Sequence, residues 1–468
     1  MRLPGLTEKQ KLMLAYGEAH PYAILAADPR LGKTRVAILL AKKFAPNTLV
    51  VCPAYLVPNW RREIKKWSPE SSVTTFQSGK EIYDVCDSDF VVTSYDLVQR
   101  AEFLFEWADM VISDETHNLK NMAAKRTQFL HRAIYENSIK RFYELTGTPI
   151  KNRVKEFYSL MALVYYEPGC DQSFLDEYPD EITFAERFSY SDTYEINVTT
   201  KRGRRMKLPV TNYHGLRNRK ELKRWLKGRY LRVRADEKDL PPISYLDTLV
   251  KDSDDANLLK AFNSFFVDES EIRKMLRGTA EKLKREVEMG RITKKESTRL
   301  KGLADREARQ MRTGSVLPEH KRNAAIQKIP FTVKYVEDLL ESVECCLVYS
   351  DHKEPCQTLA NHFKVPAITG EMPAKQRASL VNDFQSGKIR VLCATVGSLK
   401  EGADLFRARD LVLNDPSWVP GDIFQVINRT RALGHKEPRT VHRILGSPQD
   451  AKIWEVLEAK METINKAT

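Results

Sequence analysis

No apolar run in this chain of 468 residues is long enough to span a bilayer, and the first residues lack the apolar core of a secretion signal. A membrane-embedded or exported protein is therefore not expected. None of the seven cysteines forms a C-x-x-C pair, which argues against a zinc ribbon and a dithiol redox motif. Cys52 and Cys393 sit inside apolar runs and read as small core residues, a usage that suits a reducing compartment. Low-complexity tails and short repeats are missing too. Acidic residues are in the minority, 63 against 76 Lys and Arg, for a net charge of +13. The excess is concentrated: from Lys201 to Lys238, fifteen basic residues face three acids. Alone, such a block reads as a solvated helix face. In a protein this basic it also suits a polyanion, most often nucleic acid.

The length suits two or three domains. Ala23–Ala27, Thr48–Cys52, Phe90–Thr93, Met110–Ser113 and Phe142–Thr146 read as buried strands. Arg35–Phe44 and Val57–Trp67 read as the helices between them, so a parallel sheet with crossover helices is expected over 1–155. From 156 to 328 the texture is helical and charged, as in Ala256–Phe266 and Glu269–Gly290. Within it, two alternating runs flank Lys201-Arg-Gly-Arg-Arg205, which suggests a hairpin over 193–209 with a basic tip, or a flexible basic loop. Strand signals return over 329–468, at Cys345–Ser350, Ala367–Ile368, Val391–Ala394, Asp410–Asn414 and Thr440–Ile444. Helices fit Lys353–Phe363, Lys375–Gln385 and Asp422–Arg431. The fold class is α/β, two parallel-sheet lobes with helical subdomains between and on them.

Val111-Ile-Ser-Asp-Glu-Thr-His117 carries the most chemistry. A buried strand runs into Asp114 and Glu115; one carboxylate can hold the water shell of Mg2+, and the other can polarise a water for attack on a phosphate. Ala23–Thr34 is a strand, a tight turn and a helix start. Gly32 lets the backbone approach a phosphate, Lys33 can reach the outer phosphates, and the Thr34 hydroxyl can bind the metal. Arg30, Leu31 and Arg35 complete this phosphate segment, with Arg30 at a position often held by glycine. Upstream, Gln10 can read adenine.

Together these segments resemble the Swi/Snf family of superfamily-two helicase-like ATPases, over nearly the whole chain. Thr48-Leu-Val-Val-Cys-Pro…Asn59-Trp60…Trp67 looks like the family's strand, proline turn and "NW…E…W" helix. Asp114-Glu-Thr-His-Asn-Leu-Lys-Asn121 is similar to its "DE-x-H-x-x-KN" segment, and Leu145-Thr-Gly-Thr-Pro-Ile-Lys-Asn152 to its "LTGTP-x-x-N" segment. Tyr230-Leu-Arg-Val-Arg234 with Leu240-Pro-Pro242 resembles the brace between lobes. Trp418-Val-Pro-Gly421 and Gln425-Val-Ile-Asn-Arg-Thr-Arg431 resemble the last motifs. The wording is nearer to fork-remodelling annealing helicases than to nucleosome remodellers.

The resemblance implies two RecA-like lobes with ATP and Mg2+ between them. Lys33, Asp114 and Glu115 are then catalytic, with Thr34 and Asp114 at the metal. Arg429 is expected to meet the γ-phosphate from the opposite lobe; Ala432 stands where a second arginine belongs, and neighbouring Arg431 is the candidate substitute. Adjacent helix positions point about 100° apart, so that substitution needs a local shift. Gly402 and Asp404 resemble the segment linking ATP to DNA. His117, Thr146, Thr148 and Gln425 are expected to couple nucleotide state to lobe closure. Thr93, Ser94, Lys151, Asn152, Thr395 and Trp418 match positions that grip a DNA strand, and Arg204 and Arg205 add the hairpin tip.

The resulting expectation is an ATP-driven translocase on double-stranded or branched DNA, a monomer on that DNA, with no membrane role and no protein partner specified. Fork regression, branch migration and strand annealing are the processes it suits. The alternatives are a strand-separating helicase and a nucleotide-dependent DNA-binding scaffold with weak turnover. The compartment expected is cytoplasmic, a bacterial nucleoid or a phage-infected host cell. If the hairpin tip meets phosphates, DNA affinity falls steeply with salt. Changing both Arg204→Ala and Arg205→Ala then flattens the slope of log affinity against log salt by about 2; an unchanged slope counts against tip contact.

Overall fold

The computed structural model describes residues 5–76, 85, 87–137, 139–169, 173–199, 205–236, 240–250, 318–399, 405–417, 419–431, 435–446 and 448–467. The expected helices Ala256–Phe266 and Glu269–Gly290 lie outside these residues. So do Arg204, Gly402, Asp404, Trp418 and Ala432.

Six strands come first: β1 (Tyr22–Ala27), β2 (Thr48–Cys52), β3 (Val73–Thr75), β4 (Phe90–Ser94), β5 (Met110–Asp114) and β6 (Arg141–Thr146). All residues of β1, β2, β4 and β5 are buried. Side chains alternate across a strand, so their apolar runs fill two cores. Ile24, Val51, Val111 and Phe142 lie on one face, and Leu25, Val50, Ile112 and Leu145 on the other. Helices α1 (Glu8–Ala19), α2 (Lys33–Phe44) and α3 (Val57–Trp67) cover the second face. Thr7 and Gln10 start α1 with a reciprocal capping box.

β7 (Tyr190–Thr199) and β8 (Arg205–His214) pair antiparallel along their whole length, as a two-stranded sheet of their own. The tip residues between them lie outside the described set. The helices around this hairpin are not a separate unit. Phe174, Phe184, Phe188 and Leu222 belong to the same core as Ile24 and Val111, and Tyr165 stacks on Phe174 with ring centroids 4.5 Å apart.

Two strands of the expected middle region, 156–328, flank its brace and join the two sheets. β9 (Tyr230–Val233) joins the first sheet beside β1, from Ile24↔Tyr230 to Ala27↔Val233. β10 (Ile243–Leu249) joins the second sheet beside the strand Arg439–Leu445. β9 is short, β10 is mostly exposed or half-buried, and both lie at a sheet edge; an apolar-run criterion passes over such segments. The first sheet is thus seven-stranded, ordered β3-β4-β2-β5-β6-β1-β9, and every pairing in it is parallel.

The second lobe adds β11 (Cys346–Ser350), β12 (Val391–Thr395), β13 (Asp410–Leu413) and β14 (Arg439–Leu445), ordered β10-β14-β13-β11-β12. Ala367–Ile368 contributes only a bridge, Ile368↔Ala394; Pro366 before it has no amide to extend a ladder. The helix expected over Asp422–Arg431 runs Pro420–Asn428 instead. Pro420 fits the first helical turn, whose amides need no internal partner. Because the helix ends at Asn428, the angular argument against Arg431 replacing an arginine at the next position does not apply to it. The last helix, Pro448–Ala467, leaves the second lobe, and its Ile464 and Ala467 pack in the core of the first.

Lys328 is buried in the second lobe. Its ammonium donates to the Ile444 carbonyl at 3.0 Å and to Asp450 Oδ2 at 3.0 Å. Lys328→Met strands a buried carboxylate and is expected to cost about 3 kcal/mol, read as a lower denaturation midpoint.

Candidate active site

Three strands end side by side at the carboxyl edge of the first sheet, where open α/β sheets hold their ligands. β1 runs into the Asp28–Gly32 turn, β5 into Asp114-Glu115, and β6 between them into Gly147-Thr148. The sheet order alone brings the three segments together.

The turn after β1 is shaped for an anion. Gly32 has φ +85°, and a side chain there would also run into Gln10 Nε2. No side chain caps the amides at the start of α2, so they remain available to a phosphate. Lys33 Nζ folds back onto the carbonyls of Ala27 at 2.6 Å and Asp28 at 3.3 Å. Burial lowers its pKa, against the opposing pull of Glu115, Asp114 and Asp28. Thr34 is half-buried in the first turn of α2, and Leu31 is a core residue. Gln10 lies over this turn, and its Oε1 accepts from Arg35 at 3.3 Å. The Arg35 guanidinium stacks on Trp67, 4.0 Å from the ring centroid.

Asp114 is buried, and Trp60 Nε1 donates to its Oδ2 at 2.8 Å. Burial raises the Asp114 pKa to about 6, and Glu115 adds to the rise; the Trp60 hydrogen bond and Lys33 oppose it. Glu115 adopts φ +51°, a left-handed conformation that a non-glycine residue rarely takes. His117 Nδ1 stands 3.3 Å from Glu115 Oε2. An ammonium, two carboxylates, a hydroxyl and free amides form a donor set that fits a nucleotide triphosphate with a hard divalent cation.

Arg232 was not singled out for this site by its sequence. Its guanidinium donates to Asp28 Oδ1 at 2.6 Å and to the Gly147 carbonyl at 3.2 Å. It thereby clamps the turn after β1 to the turn after β6. Its signal lay in the brace motif, inside a basic block that invited a nucleic-acid reading. Trp60 was visible as the Trp of "NW", but its bond to Asp114 spans 54 positions and has no local pattern.

The second lobe closes directly on these turns. Gln425 Nε2 donates to Thr148 Oγ1 at 2.8 Å, and the Thr148 amide to Thr146 Oγ1 at 3.1 Å. Lys151 is buried and reaches Asp422 at 3.3 Å and Gln425 at 3.4 Å. Gly421 packs on the Lys151 backbone, and a Cβ there would meet Lys151 Cα at 3.1 Å. Arg30, at φ +70°, sends its guanidinium across the cleft to the carbonyls of Arg431 and Arg429 and over the Phe406 ring, 3.7 Å from its centroid.

Other expected residues are placed differently. Arg431 Nε donates to the Pro241 carbonyl at 2.9 Å and its Nη1 to Asn428 at 3.3 Å, so its side chain is engaged with the brace. Thr93 and Ser94 are buried, and Thr93 Oγ1 donates to the Phe76 carbonyl at 3.2 Å. Like Lys151, they offer no side-chain surface to a DNA strand in this arrangement. Asn152 and Thr395 are half-buried; Asn152 accepts from Lys460 at 3.0 Å, and Thr395 donates to Ser398 at 3.0 Å. Arg205 opens β8.

Residues 10–288 match the family model of the SNF2-related domain, and residues 328–434 match the helicase conserved C-terminal domain. Mouse DNA repair and recombination protein RAD54B is 25% identical, over 90% of this chain and 51% of its own length. Zebrafish DNA excision repair protein ERCC-6-like is 23% identical, over 92% of this chain and 33% of its own length. The chain thus spans about half or less of the length of these relatives. In fold, it matches the helicase domain of Pyrococcus furiosus Hef with a TM-score of 0.52 and 13% identity, covering 96% of this chain and 98% of that one.

Trp60→Phe keeps the ring and removes the donor to Asp114. It is expected to raise the Mg2+ concentration giving half-maximal ATP hydrolysis about tenfold, as loss of a partner to a metal-binding carboxylate does. Because protonation removes the anionic form, binding of the metal alone should weaken as pH falls through about 6.

Proposed function

The chain belongs to the SNF2 family of helicase-like ATPases, and we propose on that premise that it hydrolyses ATP on double-stranded DNA and moves along the duplex. The observation that carries this reading is the direct join between the nucleotide turns and the second lobe. Thr148 meets Gln425, and Arg30 meets the backbone of Arg429 and Arg431. A change at the phosphates cannot leave the lobe arrangement untouched, because the same few residues belong to both.

In this reading Lys33, Thr34 and the first amides of α2 bind the phosphates. Asp114 holds the metal's water shell, and Glu115 orients and deprotonates the attacking water. A bound Mg2+ would supply charge neutralisation at the phosphates. Arg429 meets the γ-phosphate on closure, and Gly402 and Asp404 serve the link between the nucleotide and DNA. His117, Thr146, Thr148 and Gln425 transmit the nucleotide state to the lobes. Ser94, Asn152, Thr395, Trp418 and the hairpin tip with Arg204 and Arg205 face the DNA once the lobes rearrange. The printed names of the relatives favour a role in DNA repair or recombination, for which forks, junctions or protein-bound duplex are the substrates proposed. A nucleotide-dependent scaffold with weak turnover is the second reading, favoured by the engagement of Arg431 with Pro241.

Steady-state ATP hydrolysis, measured without DNA and with single-stranded, duplex and forked DNA, tests the proposal. Duplex is expected to stimulate turnover at least tenfold, and Glu115→Gln to abolish it. Equal rates with and without every DNA would sink the motor reading and leave the scaffold. Displacement of a third strand from a triplex, without separation of the duplex, distinguishes translocation from unwinding.

A further inference from the structure

The helix Pro420–Asn428 ends just before Arg429, so the carbonyls of Arg429, Thr430 and Arg431 take no donor from a helix. Each is met from elsewhere in the chain. The Arg429 carbonyl accepts from the Leu405 amide at 3.0 Å and from Arg30 at 3.5 Å. The Arg431 carbonyl accepts from Arg30 of the first lobe. The Thr430 carbonyl, between them, accepts from Arg439 Nε at 2.8 Å.

Arg439 opens β14 and is only 1% exposed, a rare placement for a guanidinium. Its other N–H groups also go to backbone: Nη1 to the Glu437 carbonyl at 2.9 Å and Nη2 to the Phe406 carbonyl at 3.3 Å. Among the described residues it makes no ion pair; Glu437 pairs with Arg409, and Asp410 meets His442. Its amide donates to the Pro242 carbonyl of the brace at 2.8 Å. One side chain thus gathers three stretches of backbone: that of Arg429–Arg431, that of Phe406, whose ring lies under Arg30, and the entry to β14. Burying a guanidinium without a carboxylate costs stability, and the first residue of a strand needs no charge. What a guanidinium brings is five N–H groups in a rigid plane, which fix the directions of the carbonyls they meet as well as the distances. An ammonium, a point charge with freely turning donors, does not.

We propose that Arg439 is a positioning residue for ATP hydrolysis: by tying the Thr430 carbonyl to those of Phe406 and Glu437, it fixes the backbone from which Arg429 reaches the γ-phosphate. The loop is then held from inside the second lobe by Arg439 and from the first lobe by Arg30, with Arg429 between the two. A cation that must meet a developing charge gains most when its own mounting does not have to reorganise. The inference rests on the proposed role of Arg429 in hydrolysis and adds to it a residue that acts through another.

The test uses the full chain and follows turnover and binding together. Arg439→Lys keeps the charge and most of the stem but loses the fork. It should lower kcat about tenfold, the effect of one hydrogen bond to a charged group, with KM for ATP within about twofold of the parent. Its affinity for Mg2+–ADP should match the parent's, while its affinity for Mg2+–ADP with aluminium fluoride, a mimic of the transferring phosphoryl group, should fall about tenfold. In an Arg429→Ala background the same substitution should change neither kcat nor that affinity further, because both act through one side chain. Lys328→Met is the control: it destabilises the same lobe, yet below its melting temperature it should hydrolyse ATP and bind the mimic within about twofold of the parent. Parent-like kcat and mimic affinity in Arg439→Lys overturn the inference. So does an equal loss in Lys328→Met, a further loss in the Arg429→Ala background, or failure of Arg439→Lys to fold, each of which leaves Arg439 a purely structural residue. A parent that hydrolyses no ATP sinks the hydrolysis reading instead, and the comparison of the mimic with ADP, which needs no turnover, still decides what Arg439 does.

Discussion

Charges that water would normally solvate must here solvate one another, and the first lobe is arranged around that constraint. Lys33 shares a cleft with Asp114, Glu115, Asp28 and Arg232, whose charges act on its ammonium, while Glu115 and Lys33 act on Asp114. Separating one from the rest strands a charge in a poorly solvated place. The neutral partners are as necessary as the ions: Trp60 gives Asp114 a donor without adding charge, and the Gly147 carbonyl takes part of the Arg232 guanidinium. The seven-stranded sheet lets all of them converge, because neighbouring parallel strands end at the same edge.

That convergence gives the cleft its second wall. The turns that hold the phosphate-binding groups also meet the helix Pro420–Asn428, with Gly421 pressed on the Lys151 backbone. A Cβ at Gly421 would meet Lys151 Cα at 3.1 Å, so that seam could admit one only by giving way a few tenths of an ångström. Arg30 does the reverse. It sits in a turn where many such loops have no side chain at all, and it spans the cleft to meet two carbonyls and a ring.

Much of this was legible in the sequence, for physical reasons. Strands buried on both faces write themselves as continuous apolar runs, so β1, β2, β4, β5 and β6 could be read to within a residue or two at each end. The Gly32-Lys33-Thr34 and Asp114-Glu115 segments were legible because their chemistry is local. What escaped depends on partners far along the chain. Nothing around Tyr230 or Ile243 announces that one strand completes the first sheet and the other the second. Lys151 was expected to grip a DNA strand, and its burial against Asp422 and Gln425, some 270 positions away, left no local sign.

The last helix has a consequence for how the molecule can move. The two sheets are already joined by the segment from β9 to β10. The helix Pro448–Ala467 starts beside β14 and buries Ile464 and Ala467 in the core of the first lobe, with Lys460 bonded to Asn152. A body fastened at one point can tumble; a body fastened at two can only turn about the line between them. While both attachments hold, the freedom left to the lobes is a swing about the line between them, as in a door on two hinges.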